Sequence, residues 1–344
     1  MPACRLWTRP PVAPPGGYAN RMRHTRLYRD GVLEAKDFPA AQISEYLDEP
    51  GTVVWLDLCE PDRADLEVIS AEFGLHPLAV EDAVQQRERP KLDRYQDHSF
   101  LTAYAVNLDA ETGKLTTSEL AAFVTGRALI TVRKDPKFDI ETVVARWDGS
   151  ADLASHGVGF LLWGLLDVVV DGHFATVQQL DEAIEGLEDL LFDERSHGGE
   201  VQRRSFELRK SLVLLRRVVL PMREVVNTLL RRDLGVVDEA MGPYFQDVYD
   251  HVLRATEWTE SLRDLVSTIL ETNLTIQGNR LNSIMKKVTS WAAIIAVPTA
   301  VTGFYGMNVP FPGFSQHAGF VTSVALVVVL SGSLYLLFKR LDWL

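Results

Sequence analysis

Apolar and charged positions are interleaved along most of this chain, but the interleaving stops near its C-terminal end. Residues 288–338 contain no Asp, Glu, Lys or Arg. Two apolar runs occupy that stretch, 288–305 and 318–338, joined by a short loop of Gly, Pro and Phe. A helix needs about 20 mostly apolar residues to cross a bilayer, so each run predicts one spanning helix. N-terminal to them, over 25–156, the pattern is mixed. Runs at 52–58, 99–108 and 128–133 predict strands, and segments 61–73 and 77–85 predict helices with Pro at or near their starts. This is the pattern of an α/β domain with a mixed sheet.

From residue 157 onward helix dominates. The run GVGFLLWGLLDVVV is too short to span a bilayer and contains Asp167, which predicts a core helix. That helix continues through Asp181, Glu182, Glu185, Glu188 and Asp189 toward a Gly turn near 197–199. The next, 200–232, is rich in Arg203, Arg204, Arg209, Lys210, Arg216, Arg217 and Arg223. An acidic and a basic helix joined by a Gly turn suggest an antiparallel hairpin whose cross-pairs contribute about 0–1 kcal/mol each. A third helical stretch, 157–287 being helical overall, starts near Gly242-Pro243 and meets no breaker stronger than Gly278 before the first span. Some 60 residues at about 1.5 Å each would give a rod of about 90 Å from a cytosolic domain into the membrane.

Charge orients the spans. Lys286 and Lys287 precede the first, Lys339 and Arg340 follow the second, and the loop 309–317 carries no basic residue except His317. The positive-inside rule then puts both chain ends, including the basic tail 339–344, in the cytoplasm of a cell whose inner (plasma) membrane is crossed twice. The first 24 residues are broken by Pro and Gly where a leader would need an apolar run, and they predict a disordered tail. The net charge of −12 argues against nucleic acid as a partner and suits attraction of cations. Two cysteines, Cys4 and Cys59, agree with a reducing compartment.

Helical spacing gathers Asn282, Met285, Thr289, Ala292, Ala296, Thr299, Gly303 and Gly306 onto one small or weakly polar stripe of the first span. Such a stripe either lets membrane helices pack closely or lines a watery pore. Two helices cannot enclose a pore, so conduction would need a ring of copies. Without a carboxylate at membrane depth, the wall could not strip a divalent ion of water. Mg²⁺ dehydrates reluctantly, and a tube of hydroxyl, amide and carbonyl oxygens would pass it hydrated. Two charges crossing 100 mV gain about 4.6 kcal/mol, so no nucleotide is needed to drive the flow, and no phosphate-binding loop stands in the sequence.

Tyr305-Gly306-Met307-Asn308, closing the first of two C-terminal spans, resembles the signature of the CorA-type magnesium transporter family (GMN-motif two-span metal ion transporters). Met222-Arg223-Glu224-Val225-Val226 and the segment PYFQDVYDH at 243–251 are similar to the family's stalk, and HPLAVED at 76–82 with Arg89-Pro90-Lys91 is similar to its N-terminal domain. The resemblance covers residues 50–344. It implies a funnel-shaped homopentamer with the first spans, 288–308, lining the pore and the second spans outside. It also implies an outer mouth at Gly306, Met307 and Asn308, a hydroxyl ring at Thr299, and a polar ring at Asn282 beneath an apolar constriction of Met285 and Val288. Pro298 stands one residue from the family's proline, and the outer loop lacks the acidic residue many relatives carry. A regulatory Mg²⁺ is implied between Asp82 of one subunit and Asp247 of the next, with Glu81 nearby.

The expected function is therefore a passive channel for hydrated Mg²⁺, with Co²⁺ and Ni²⁺ as further cargo, closed by cytosolic Mg²⁺. A zinc transporter of the same superfamily is the nearest alternative, although zinc prefers His and Cys ligands. A non-conducting membrane-anchored sensor is an alternative of another class. No nucleophile–base pair or dinucleotide fingerprint suggests an enzyme.

Overall fold

In the run TVVWLDLC, Thr52–Cys59, successive side chains point to opposite faces of a strand, and both faces are covered. In the computed structural model this strand is β3. Val54, Leu56 and Leu58 enter one apolar cluster, while Trp55 and Val53 join another. The structure describes residues 23–85, 89–192, 198–231, 235–307, 310, 313 and 316–344. They fall into two compact units. One comprises residues up to Leu190 together with Arg203–Ser267, the other Leu191–Gln202 with Thr268–Leu344. Most of the expected N-terminal tail lies outside the described residues, but Arg23 and His24 already belong to a strand.

That strand, β1 (Arg23–Arg29), is part of a seven-stranded sheet. The others are β2 (Val32–Lys36), β4 (Lys91–Arg94), β5 (His98–Asp109), β6 (Lys114–Thr125) and β7 (Ala128–Arg133), in the order β2-β1-β3-β7-β6-β5-β4. Only β3 and β7 run parallel, so the sheet is mixed as the sequence suggests. The strands expected at 52–58, 99–108 and 128–133 are β3, β5 and β7.

One face is covered by α1 (Ile43–Leu47), α2 (Arg63–Phe73) and α3 (Pro77–Val84) through Ile43, Leu66, Ile69, Ala79, Val80 and Ala83. Asp62 and Asp65 cap α2 reciprocally, at 2.9 and 3.1 Å, and Gly74 ends it at φ +64°. His76 caps α3, its Nδ1 accepting from the Leu78 N–H at 3.2 Å, with Pro77 at the first helical position.

The opposite face meets α4 (Glu141–Gly149), α5 (Val158–Phe192), α6 (Gly198–Leu230) and α7 (Gly242–Tyr305), whose Trp147, Phe160, Leu162, Met222 and Phe245 share one cluster. The apolar run of α5 is long enough to span a bilayer, but 72% of that window is buried in the protein, which makes it core. Gly164 explains how α4 comes so close. A Cβ there would lie 2.4 Å from Trp147 Nε1, whose N–H donates to the Leu161 carbonyl at 3.1 Å. The Gly turn expected after α5 falls partly on residue 197, outside the described residues. Asp167 and Asp171 of α5 meet Arg146 of α4, and Arg216 of α6 meets Glu260 of α7 at 3.1 Å.

Within the second face lies a buried polar chain. Trp55 Nε1 donates to Thr131 Oγ1 (3.1 Å), and that hydroxyl donates to Asp57 Oδ1 (2.7 Å). Arg133 grips Asp57 Oδ2 with Nε (3.0 Å) and NH2 (2.6 Å) and donates from NH1 to the Phe138 carbonyl (3.2 Å). Parallel register puts these groups side by side, Asp57 opposite Thr131 and Cys59 opposite Arg133.

Candidate ion path and cation site

Helix α7 runs unbroken for 64 residues, about 96 Å at the usual rise. Its C-terminal part and α8 (His317–Arg340) are the two apolar runs of the sequence. In the single chain they are bare: 6% of the spanning window of α7 is buried and none of that of α8. Met285, Val288, Ile295 and Phe304 are each more than half exposed, as are Phe320, Val321, Val328 and Leu336. Apolar surface of that extent is covered in the working molecule by lipid or by further protein. At the opposite end of the span from Gly306, Lys286 lies 5.9 Å from the Trp343 ring, which stacks on Phe338 at 5.7 Å. The start of the first span and the end of the second thus sit at one level.

Because 282–305 is helical throughout, Asn282, Met285, Val288 and Thr299 fall with Gly306 in one sector of about 120° at 3.6 residues per turn. All are exposed on the isolated chain. Two details shape the wall. The Thr299 hydroxyl donates to the Ile295 carbonyl at 3.1 Å, which uses its proton and leaves oxygen lone pairs for a cation or its waters. Pro298 has no N–H, so the carbonyl of Ile294 loses its helical donor. At the helix end the Gly306 N–H closes the last turn on the Thr302 carbonyl (2.8 Å), and the Met307 N–H reaches Phe304 (3.3 Å). A Cβ on Gly306 would sit 2.9 Å from that Thr302 oxygen, tighter than side chains tolerate. Asn308 lies outside the described residues. Before α8, Gly313 (φ +91°) packs on Gly319, where an added Cβ would lie 2.4 Å from the Gly313 oxygen.

In the other unit the three acidic candidates occupy different settings. Glu81 is exposed on α3 and accepts from Gln85 Nε2 at 2.7 Å. Asp82, one residue on, is half-buried and already has a cation: Lys91 Nζ lies 2.6 Å from its Oδ2 and 3.2 Å from Asp93. Against the cost of burial, those two carboxylates hold the Lys91 ammonium above its usual pKa. Asp247 is exposed on α7. Among the described residues no three His, Cys, Asp or Glu side chains converge as a metal cage. Sequence reading missed Lys91 as the partner of Asp82. The only hint was its place in the Arg-Pro-Lys motif.

Asp247 does have a neighbour that matters. Asp167, 5% exposed, meets Arg146 at 3.0 Å. Burial pushes its carboxyl up to about 6, with Arg146 pulling the other way and Asp171 and Asp247 adding to the rise. Two turns along α5, His173 is fully buried and donates from Nε2 to the Tyr104 carbonyl at 2.6 Å. Burial lowers its pKa to about 4. The two groups oppose each other. The stability from Asp167 is present below its ordinary value of 3.8 and is lost as pH rises through 6. The stability from His173 is present above 6.5 and is lost as pH falls through 4. Each is worth about 3 kcal/mol at most. Thermal midpoints of the detergent-solubilised protein between pH 4 and 7 are expected to show Asp167→Asn gaining on the wild type as pH rises. His173→Gln should lose ground over the same interval. Offsets independent of pH would disprove both assignments.

The likeness to known proteins follows these elements. The model of the family described as CorA-like Mg²⁺ transporter protein matches residues 50–340. The cobalt/magnesium transport protein CorA of Thermotoga maritima is 27% identical over 319 residues, 91% of this chain and 90% of that protein. The complete structure of the CorA magnesium transporter from Methanocaldococcus jannaschii superposes with a TM-score of 0.76 at 23% identity, covering 95% of this chain and 100% of that one. The cytoplasmic domain of ZntB from Vibrio parahaemolyticus shares the fold at a TM-score of 0.57 and 13% identity, over 75% of this chain and 98% of that one. With most of its length matched, from the third strand of the sheet to the end of α8, the chain belongs to the CorA-like Mg²⁺ transporter family.

Proposed function

We propose that the chain assembles as a homopentamer in the cell's inner membrane, both ends cytoplasmic, and conducts hydrated Mg²⁺, with Co²⁺ and Ni²⁺ as further cargo. The observation that carries this reading is the uncharged sector of α7, exposed over its whole spanning length and ending at Gly306-Met307. A ring of such sectors buries their bare surface and offers an ion hydroxyl and carbonyl oxygens without a fixed charge. Weak, multiple contacts of that kind suit an ion that keeps its inner waters and must leave again. Asn308 and Gly306 form the outer mouth, Thr299 a ring partway down, and Met285 and Val288 the constriction above Asn282.

Selectivity for Mg²⁺ over Zn²⁺ rests on donor chemistry. Burial pushes the Cys59 thiol up, so it offers no thiolate. The groups proposed to meet the ion, Asp82, Glu81, Asp247, Asn282, Thr299 and Asn308, offer it oxygen. Uptake by proteoliposomes holding an inside-negative potential tests the reading, with Mg²⁺, Co²⁺ and Zn²⁺ compared. Mg²⁺ entry driven by the potential alone is the expected result. Entry of Zn²⁺ in preference would move the chain to the zinc branch, and no flux of any ion would make it a sensor.

Regulation is assigned to Asp82 and Glu81 of one subunit and Asp247 of the next. Carboxylates facing each other across a subunit boundary repel, and a hydrated Mg²⁺ relieves the repulsion. Lys91 sharpens this, because its ammonium neutralises Asp82 when Mg²⁺ is low and must be outcompeted when Mg²⁺ is high. High cytosolic Mg²⁺ then favours the closed ring by population shift. Asp82→Ala combined with Asp247→Ala is expected to keep transport open at millimolar internal Mg²⁺. An inhibition curve identical to that of the wild type would remove the switch.

A further inference from the structure

Away from the ion path, the first unit holds a cavity of about 480 Å³. Four segments line it: the β4–β5 turn at 94–99, the β6–β7 turn at 124–126, the start of α5 at 155–159, and the link before α7 at 235–238. That volume falls in the range of small-molecule sites.

Its lining mixes donors with acceptors, His98 and Arg94 standing beside Ser99, Thr125, Asp97 and Asp238. His98 lines the cavity and is 6% exposed. Its Nε2 accepts from the His76 N–H at 3.4 Å. Burial, with the nearby His76 adding to it, depresses its pKa and keeps the ring neutral. A neutral imidazole that accepts at Nε2 carries its proton on Nδ1. That Nδ1–H has no acceptor among the described residues. The ring is held in place by stacking on Tyr95 at 4.9 Å and 16°. Arg94, exposed at the rim, makes no ion pair among the described residues. Val158 and Gly159 begin a helix of 35 residues, and the first N–H groups of a helix lack partners within it and carry its positive end. Gly159 also lets the backbone close in, since a Cβ there would lie 2.6 Å from the Val236 oxygen.

Two carboxylates balance this. Asp238 is committed, to His156 Nδ1 at 2.6 Å and to the Met241 N–H at 2.8 Å. Asp97 is exposed at the rim and faces whatever enters. A bare anion would meet that charge unfavourably, whereas a molecule joining an anionic group to hydroxyl or amino donors would satisfy both ends.

We propose that this cavity binds a small organic phosphate. The His98 Nδ1–H, the α5 amides and Arg94 take the phosphoryl oxygens, and Asp97 accepts from hydroxyl or amino groups on the remainder. Adenosine monophosphate, inorganic phosphate and adenosine serve as probes in titration calorimetry on the full-length protein in detergent. Heat reports binding directly, so the result does not depend on which ion is transported. The monophosphate should bind at least about tenfold more tightly than either fragment. Arg94→Ala should weaken it about ten- to a hundredfold, the loss expected for a charge-assisted hydrogen bond, and Arg94→Lys should recover part of that. His98→Phe keeps the stacked ring and removes the donor. It should weaken binding too, and its thermal midpoint shows whether the fold survives. Adenosine binding as well as its phosphate would overturn the phosphoryl assignment. Inorganic phosphate binding as well would overturn the organic part. No heat with the monophosphate at millimolar concentration, or unchanged binding by Arg94→Ala, would overturn the site altogether.

Discussion

Asn308→Ala is expected to abolish Mg²⁺ uptake in proteoliposomes without unfolding the protein or breaking up its assembly. The side chain follows Gly306-Met307 at the end of α7, at the mouth of the proposed pore, where an ion arrives with its full water shell. A carboxamide there accepts hydrogen bonds from that water and carries no charge that would trap the ion. One such bond is worth about 1 kcal/mol net, too little for selection by a single chain. A ring changes the arithmetic. In the proposed pentamer, five copies mutated at once would forfeit about 5 kcal/mol, more than three powers of ten in affinity for the hydrated ion. The proposed filter is therefore a property of the assembly, and a single substitution per chain is expected to have a disproportionate effect. Asn308→Gln, which keeps the amide on a longer arm, should retain part of the flux. Size-exclusion elution identical to the wild type shows that the oligomer is intact. Full Mg²⁺ uptake by an intact Asn308→Ala oligomer would falsify the outer-mouth assignment.

How far the molecule is legible in its sequence depends on the range of the forces involved. The two spans and the uninterrupted α7 are local properties of composition and periodicity, and both are plain: no charge from 288 to 338 and no strong breaker from 244 to 297. Strands β3, β5 and β7 are readable because they are central and apolar. By contrast β1, with three arginines in seven residues, and the four-residue β4, with three charged side chains, carry little apolar alternation. They are held by neighbours in the sheet, which a periodicity cannot reveal. The same holds at the candidate sites. Spacing alone places Asn282, Met285, Thr299 and Gly306 on one stripe of a helix, whereas Val288 is implied only by the family resemblance. The partner of Asp82 on helix α3 is Lys91, nine residues on and in strand β4, and no spacing rule announces it. Asp167 stands out in sequence as a charge in an apolar run, yet its relation to Arg146 depends on how α4 packs against α5.

Asp57→Ala is expected to destabilise the sheet domain by about 3–5 kcal/mol. The aspartate has no exposed surface and Arg133 is 3% exposed, with Thr131 and Trp55 bonded into the same chain. Removing the carboxylate strands a guanidinium that cannot lose its proton, in a place where water does not reach it. The pair itself is a different matter. Its attraction is set against the cost of taking two charges out of water, and replacing both partners by apolar side chains of similar volume is often neutral or better. Asp57→Leu with Arg133→Met should therefore be less damaging than Asp57→Ala, even though it removes more of the network. Denaturation of the detergent-solubilised variants, read by the fluorescence of the tryptophans near the pair, Trp55 and Trp147 among them, separates these cases. Additive losses in the double variant would mean that the two charges are not coupled. The consequence extends to the proposed regulation, because β3 leads through α2 into α3, where Glu81 and Asp82 sit. A sheet loosened at Asp57 would carry those carboxylates on a less rigid support, so Asp57→Ala should blunt inhibition by Mg²⁺ as well as lower stability, whereas the apolar double variant should restore both together.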